Sequence, residues 1–192
     1  MMKMERPQQP NWLKENYKKW GRKFKKKLNN PNLKNDFIWA IHHRTKVNVK
    51  LLPILRNATF KHCAFCDDKI KKGTIEHFRP SSDYPRLSYA WYNLFPACSD
   101  CQEKNSEFKG ELLKPDKEDY EFLRYYLYNA TSGEIEANPK ANEQDQTRAK
   151  TTIEIYKLNR PELIEDRMDC FENYKDVAAD KRPFRFVFIR KV

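Results

Sequence analysis

The chain has 192 residues, a formal net charge of +11, a pI near 9.4 and a mean hydropathy of −0.97. That length fits one domain, or one core with appended segments, and is enough to bury a real core. No stretch of eighteen apolar residues occurs, which argues against a membrane-spanning helix, and the positive balance favours a polyanionic partner.

Residues 1–10 are polar with two prolines and read as extended. Over 11–28, Leu13, Tyr17, Trp20, Phe24 and Leu28 recur at helical spacing among lysines and Arg22. This predicts an amphipathic helix. It serves either as an arm gripping phosphates or docking on a partner, with Trp12, Trp20 and Phe24 as contacts, or as a helix packed on its own domain. A second helix is expected over 34–57, broken near Pro53 and carrying His42 and His43. Histidines on a helix are more often structural than catalytic.

The segment 61–110 holds the chemistry. Cys63-x-x-Cys66 and Cys98-x-x-Cys101 form two paired-cysteine knuckles. Each such turn brings two sulfurs to one side, and two pairs match the needs of one tetrahedral zinc. The 31-residue gap from Asp67 to Ala97 exceeds usual zinc-ribbon spacing and implies an insertion with its own role. The alternative is two disulfides in a secreted protein. No signal peptide opens the sequence, and the chain is rich in lysine, so a cytoplasmic location is expected. Gly73 marks a turn before a short strand at 74–78, a loop runs through Pro80 and Pro85, and the second knuckle opens a helix.

Beyond the core, Asn129-Ala-Thr-Ser-Gly133 between YYLY and EIEA reads as a hairpin turn. Helices are expected at 142–158 and from Pro161 to about Ala179, with Cys170 an ordinary half-buried thiol. FRFVFI near the end reads as a final strand. The regions are 1–58, a basic amphipathic helical segment; 59–115, the zinc core; and 116–192, a helical segment completing the same domain. The fold class is α+β, mainly helical.

Between the knuckles lie Glu76-His77 in TIEHFRP and Asn93-Leu94 in WYNL. Hydrolysing a phosphodiester needs a base, charge neutralisation and a stabilised leaving oxygen. His77, with an unperturbed pKa near neutrality, suits the general base. On a strand, Glu76 points to the opposite face, so a distortion at the strand end or the following turn must let both reach one site. The alternatives for His77 are a zinc ligand or a buried polar residue; the four cysteines already fill a zinc site.

The run C-x-x-C, IEHFRP, YAWYNLFPAC-x-x-C-Q resembles the HNH endonucleases with a ββα-metal fold and a paired-cysteine zinc site. More narrowly, it resembles the HNH subunit (PtuB) of Septu antiphage systems, also found beside retrons. The resemblance covers Cys63 to Phe108, with weaker support in TTIEIYKLNRPELIEDR at 151–167. It implies a ββα-metal core with a four-cysteine zinc knuckle, flanking helices and nucleic-acid cleavage. Glu76 would be a divalent metal ligand, with Mg²⁺ or Mn²⁺ as the ion; His77 would activate water; Asn93 would brace the loop and orient His77. The implied partners are DNA or RNA, an ATPase subunit of the PtuA type, and a retron reverse transcriptase with its RNA and DNA.

The third HNH letter departs from the family. His or Asn usually follows the last cysteine; here Gln102 does, with Asn105 one helical turn on as a substitute metal ligand. Pro80-Ser81-Ser82 lacks the lysine of the related Pro-Lys-Ser step. Arg79, Arg86, Lys104 and Lys109 are therefore the candidates for backbone contacts, each equally readable as a solvated charge. A zinc-stabilised nucleic-acid binding module without catalysis and a zinc-dependent protein-interaction domain are the competing readings.

Overall fold

The computed structural model describes residues 1–30, 32, 37–104 and 108–189. It is α+β, with small two-stranded antiparallel sheets among helices. Helix α1 spans Asn11–Leu28, as its apolar spacing predicts, and buries Leu13, Gly21 and Phe24. Its fit to the rest of the chain is close. A Cβ on Gly21 would lie 2.5 Å from the Arg86 carbonyl oxygen, so only glycine lets the helix meet that loop. Trp20 packs on Tyr89 and Phe24 on Phe37, at ring separations of 5.4 and 5.0 Å. The apolar side chains expected to dock on a partner are thus largely spent within the fold.

The second predicted helix is shorter than expected. Strands β1 (Ile41–His42) and β2 (Thr45–Lys46) pair first, and α2 runs from Val47 to Ala58. The hairpin turn uses His43 and Arg44 at φ 48° and 61°. Such turns favour Asn-Gly, which explains why the sequence hides this one. His42 is therefore a strand residue. Residues 34–36 of the expected helix lie outside the described residues. Pro53 does not break α2. It is exposed, and so is Val49 at 58%, so the carbonyl that loses its helical donor sits on the solvent side.

Strands β3 (Thr74–His77) and β4 (Leu94–Ala97) pair antiparallel, with Glu76 opposite Phe95 and His77 opposite Leu94. Helix α3 (Ser99–Gln102) follows at once, giving the order strand, strand, helix. Gly73 sits at φ 68° and starts β3 from a turn that disfavours a side chain. A short helix α4 (Phe122–Tyr125) leads into the hairpin of β5 (Tyr126–Tyr128) and β6 (Ile135–Ala137), turned at Asn129–Gly133 as read from the sequence. Helix α5 covers Glu143–Ile155, its first turn capped by the Asn142 side chain. Helix α6 covers Pro161–Asn173 and ends earlier than Ala179. Cys170 is fully buried on it, rather than half-buried.

The final strand does not form. Arg185–Phe188 is a 3₁₀ turn, entered through Phe184 at φ 48°. The segment is instead captured by the first knuckle. Asp67 accepts hydrogen bonds from the Arg185 backbone N–H at 2.7 Å and from its guanidinium, and the Asp67 carbonyl accepts from Phe184 N–H at 3.1 Å. Phe184, Phe186 and Val187 then join one apolar cluster with Leu13, Leu51, Phe65, Phe95 and Tyr156. Among the described residues no helix is long and apolar enough to cross a membrane.

Candidate functional site: a four-cysteine cluster beside a Glu-His cavity

Cys63, Cys66, Cys98 and Cys101 converge although 37 residues lie between the first and the last. Their sulfurs all lie within 4.8 Å of one another, and Cys66 Sγ is 3.8 Å from Cys98 Sγ. Four sulfurs set tetrahedrally about 2.3 Å from a zinc ion would be about 3.8 Å apart. The first knuckle is shaped by Asp67 N–H donating to the Cys63 carbonyl at 3.1 Å and Cys63 N–H donating to Asp68 at 2.8 Å. It is pinned to β4 by Ala64 N–H, which donates to Pro96 at 2.9 Å. In the second knuckle, Cys98 caps α3 and its sulfur accepts from Cys101 N–H. Hydrogen bonds from Cys101 first, then Cys63 and Cys66, hold the Cys98 thiol well below the ordinary range. All five cysteines are free, so the disulfide alternative is not realised. The cluster can hold a metal ion and is compatible with zinc.

A cavity of about 350 Å³ opens beside β3 and is lined by Phe37, Trp39, Glu76, His77, Gln102 and Lys104, among others. Glu76 and His77 are neighbours on one strand, yet both face this space. The strand ends at His77 and α3 closes over it, so the opposite-face argument from strand geometry is overridden at the terminus.

His77 Nε2 lies 2.8 Å from the Ser88 carbonyl oxygen. A carbonyl only accepts, so Nε2 carries the proton, and in the neutral ring Nδ1 keeps its lone pair. Burial lowers the His77 pKa to about 4, with nearby Lys104 adding to the effect and the Ser88 carbonyl opposing it. The ring is therefore neutral at pH 7. Trp39 stacks on it at 5.3 Å, and Phe37 meets it edge-on at 4.8 Å.

Asn93 is buried and braces the loop after β3. Its Oδ1 accepts from Arg79 N–H at 2.8 Å; its Nδ2 donates to the Arg79 and Leu87 carbonyls at 3.0 and 3.2 Å. The Asn93 carbonyl accepts from Phe78 N–H at 2.9 Å. Both ends of the loop carrying Ser88, the partner of His77, are thereby fixed.

Burial raises the Glu76 pKa to about 7, against the pull of Lys104. Lys104 is where the surface expectation fails. Its side chain is 2% exposed, and its ammonium lies 2.9 Å from Glu76 Oε1. It also donates to the His77 and Phe78 carbonyls at 3.1 and 2.8 Å. With three donors engaged, it is not a free phosphate contact here. Arg79 and Arg86 are exposed, the Arg79 guanidinium lying over Tyr84 and Phe108. Lys109 is exposed and 3.8 Å from Glu154. Gln102 is exposed; its Nε2 donates to the Ile75 carbonyl at 3.3 Å, which leaves Oε1 out of that bond. Asn105 lies outside the described residues. Sequence reading missed Phe37, Trp39 and Ser88, whose roles come from long-range packing that no local pattern signals.

No family model matches the chain. A segment of 55 residues is 38% identical to Protein ea31 of Escherichia phage lambda, spanning 29% of this chain and 18% of that protein.

Proposed function

We propose that the chain is a metal-dependent HNH-type endonuclease that hydrolyses nucleic-acid phosphodiester bonds, with a structural zinc in its four-cysteine cluster. The observation that carries this reading is His77. It is a neutral imidazole whose Nε2–H is committed to Ser88, leaving Nδ1 as a base in a cavity shared with Glu76 and Gln102. His77 Nδ1 takes the proton of a water attacking phosphorus, and the bond from phosphorus to the 3′ oxygen breaks as that oxygen takes a proton from solvent. Asn93 holds the loop that orients the ring. Trp39 covers one face of the ring and Phe37 meets it edge-on.

The donor set suits a hard cation. Glu76 brings a carboxylate and Gln102 an amide oxygen, and ions such as Mg²⁺ or Mn²⁺ take few protein oxygens and several waters. When bound, such an ion supplies charge neutralisation at the phosphate and stabilises the leaving oxygen. The net charge of +11, with exposed Arg79, Arg86 and Lys109 near the loop, suits a polyanionic substrate. The resemblance to the Septu HNH subunit supports an ATPase partner and a role in antiphage defence.

The test is cleavage of DNA and of tRNA by the zinc-loaded chain, alone and with an ATPase encoded beside it, in Mg²⁺ or in EDTA. Metal-dependent cutting is expected. One observation favours a second reading, a binding module without catalysis: Glu76 is already paired with Lys104, and Gln102 stands where the family has His or Asn. That reading gives binding with a steep salt dependence and no cutting in any condition.

A further inference from the structure

We propose that Lys104 is the resident cation of the Glu76 carboxylate, and that a divalent ion reaches Glu76 by displacing it, so that this lysine gates metal loading. The inference rests on the nuclease reading of the cavity and adds a control to it.

The ammonium sits in a cage of oxygens. Glu76 Oε1 is 2.9 Å away, the Phe78 carbonyl 2.8 Å and the His77 carbonyl 3.1 Å. The Tyr156 ring lies beneath it at 5.7 Å. Lysine and glutamate side chains are 2% and 7% exposed, so little water screens them. Oxygens on one side and an aromatic face on another make a seat for a positive charge. Here the chain itself supplies that charge.

A divalent ion coordinates a carboxylate oxygen at about 2.0–2.2 Å. Placed on Glu76, it would stand a few ångströms from the ammonium in a poorly screened pocket. Repulsion between +2 and +1 there works against the three hydrogen bonds that seat the ammonium. The two cations therefore exclude each other at Glu76. Lys104 also has somewhere to go. It follows the end of α3 at Gln102, outside helical structure, and lines the cavity on a flexible four-carbon stem.

The probe is Mn²⁺, followed by electron paramagnetic resonance of the free ion, with the full zinc-loaded chain. Lys104→Met keeps most of the stem and removes the charge. It is expected to bind Mn²⁺ at least about tenfold more tightly than wild type, and the gain should vanish in the Glu76→Gln/Lys104→Met double variant. Unchanged or weaker binding in Lys104→Met overturns the proposal, as does a gain that survives loss of Glu76 or the absence of binding in both proteins. A second measurement uses wild type alone and covers a variant that fails to fold. Acetylation of Lys104, read by mass spectrometry, should be slow without Mn²⁺ and rise several-fold with it; equal protection at saturating Mn²⁺ sinks the gate. A protein that shows displacement but cuts neither DNA nor RNA refutes the nuclease and leaves the gate. One that cuts while Lys104 stays protected refutes the gate alone.

Discussion

The His77 imidazole donates through Nε2 to the Ser88 carbonyl at 2.8 Å, across a loop whose two ends are tied together by the Asn93 side chain. The tautomer of the ring, and hence which nitrogen is basic, depends on a loop that a single buried amide holds in shape.

Asn93→Ala tests that dependence. The change removes the side-chain bonds to Arg79 and Leu87 and leaves part-buried backbone groups without those partners. A loss of about 2–3 kcal/mol is expected from urea unfolding. Nuclease activity should fall further than the folded fraction does, because the ring loses its fixed partner. Activity that simply tracks the folded fraction would confine Asn93 to a structural role.

Removal of the metal should be costly in a different way. Four cysteine sulfurs crowded within 4.8 Å would be held together by a bound ion, and the chain's core is built around them. One zinc per chain is expected by atomic spectroscopy. Among the chain's five cysteines, a thiol reagent should find essentially none in the native zinc-loaded protein and all of them after chelation and denaturation. Cys170 stays silent in the native state for its own reason. Burial pushes its thiol up to about 11, and its sulfur donates to the Pro183 carbonyl. Rapid labelling of the four cluster cysteines in native protein would contradict a metal-filled cluster.

Asp67 is the tie between the first knuckle and the last described segment. Its carboxylate is fully buried and bonded to Arg185. Asp67→Ala leaves that guanidinium without its partner, at a cost of about 3–5 kcal/mol. Proteolysis should then release the tail from about residue 184 onward while the zinc stays bound. Protection of the tail as in wild type would show that Phe184 and Phe186 suffice to hold it.

The pH dependence of stability has a defined sign. The folded pKa of His77, about 4, lies below its unfolded value of 6.5. Between those values the unfolded chain binds more protons than the folded one, so this residue's contribution is intact above pH 6.5 and is lost as pH falls to 4. His77→Gln keeps a donor and does not titrate. Wild type should therefore lose stability relative to His77→Gln across that window, by at most about 3 kcal/mol and less where solvent reaches the ring. Glu76 and the zinc cluster are common to both proteins and drop out of the difference to first order. Parallel thermal-melt curves from pH 7 to pH 4 would contradict a buried neutral His77.

Much of this was legible in the sequence because it is written in local spacing. The apolar period of α1, the paired cysteines, the turn at Gly73 and the Asn129–Gly133 hairpin are all short-range signals, and each element stands where its signal is. What escaped is long-range or chemically atypical. The turn at His43-Arg44 uses left-handed backbone without glycine or asparagine, so β1 and β2 read as helix. FRFVFI alternates like a strand, yet no strand among the described residues pairs with it and Asp67 holds it instead. Lys104 lies in a run of polar residues and reads as surface; only the tertiary fold puts Glu76 beside it. Phe37 and Trp39 reach His77 from far upstream, which no pattern around TIEHFRP announces.

The most direct test compares wild type with His77→Ala in cleavage of DNA and tRNA with Mg²⁺, with binding to the same nucleic acids measured in parallel. Cutting by wild type is expected, with a fall of about 10²–10⁴-fold in the variant and binding within a few-fold of wild type. Equal cleavage by the two proteins, or binding by both with no cleavage in any condition, would contradict His77 as the base of a nuclease.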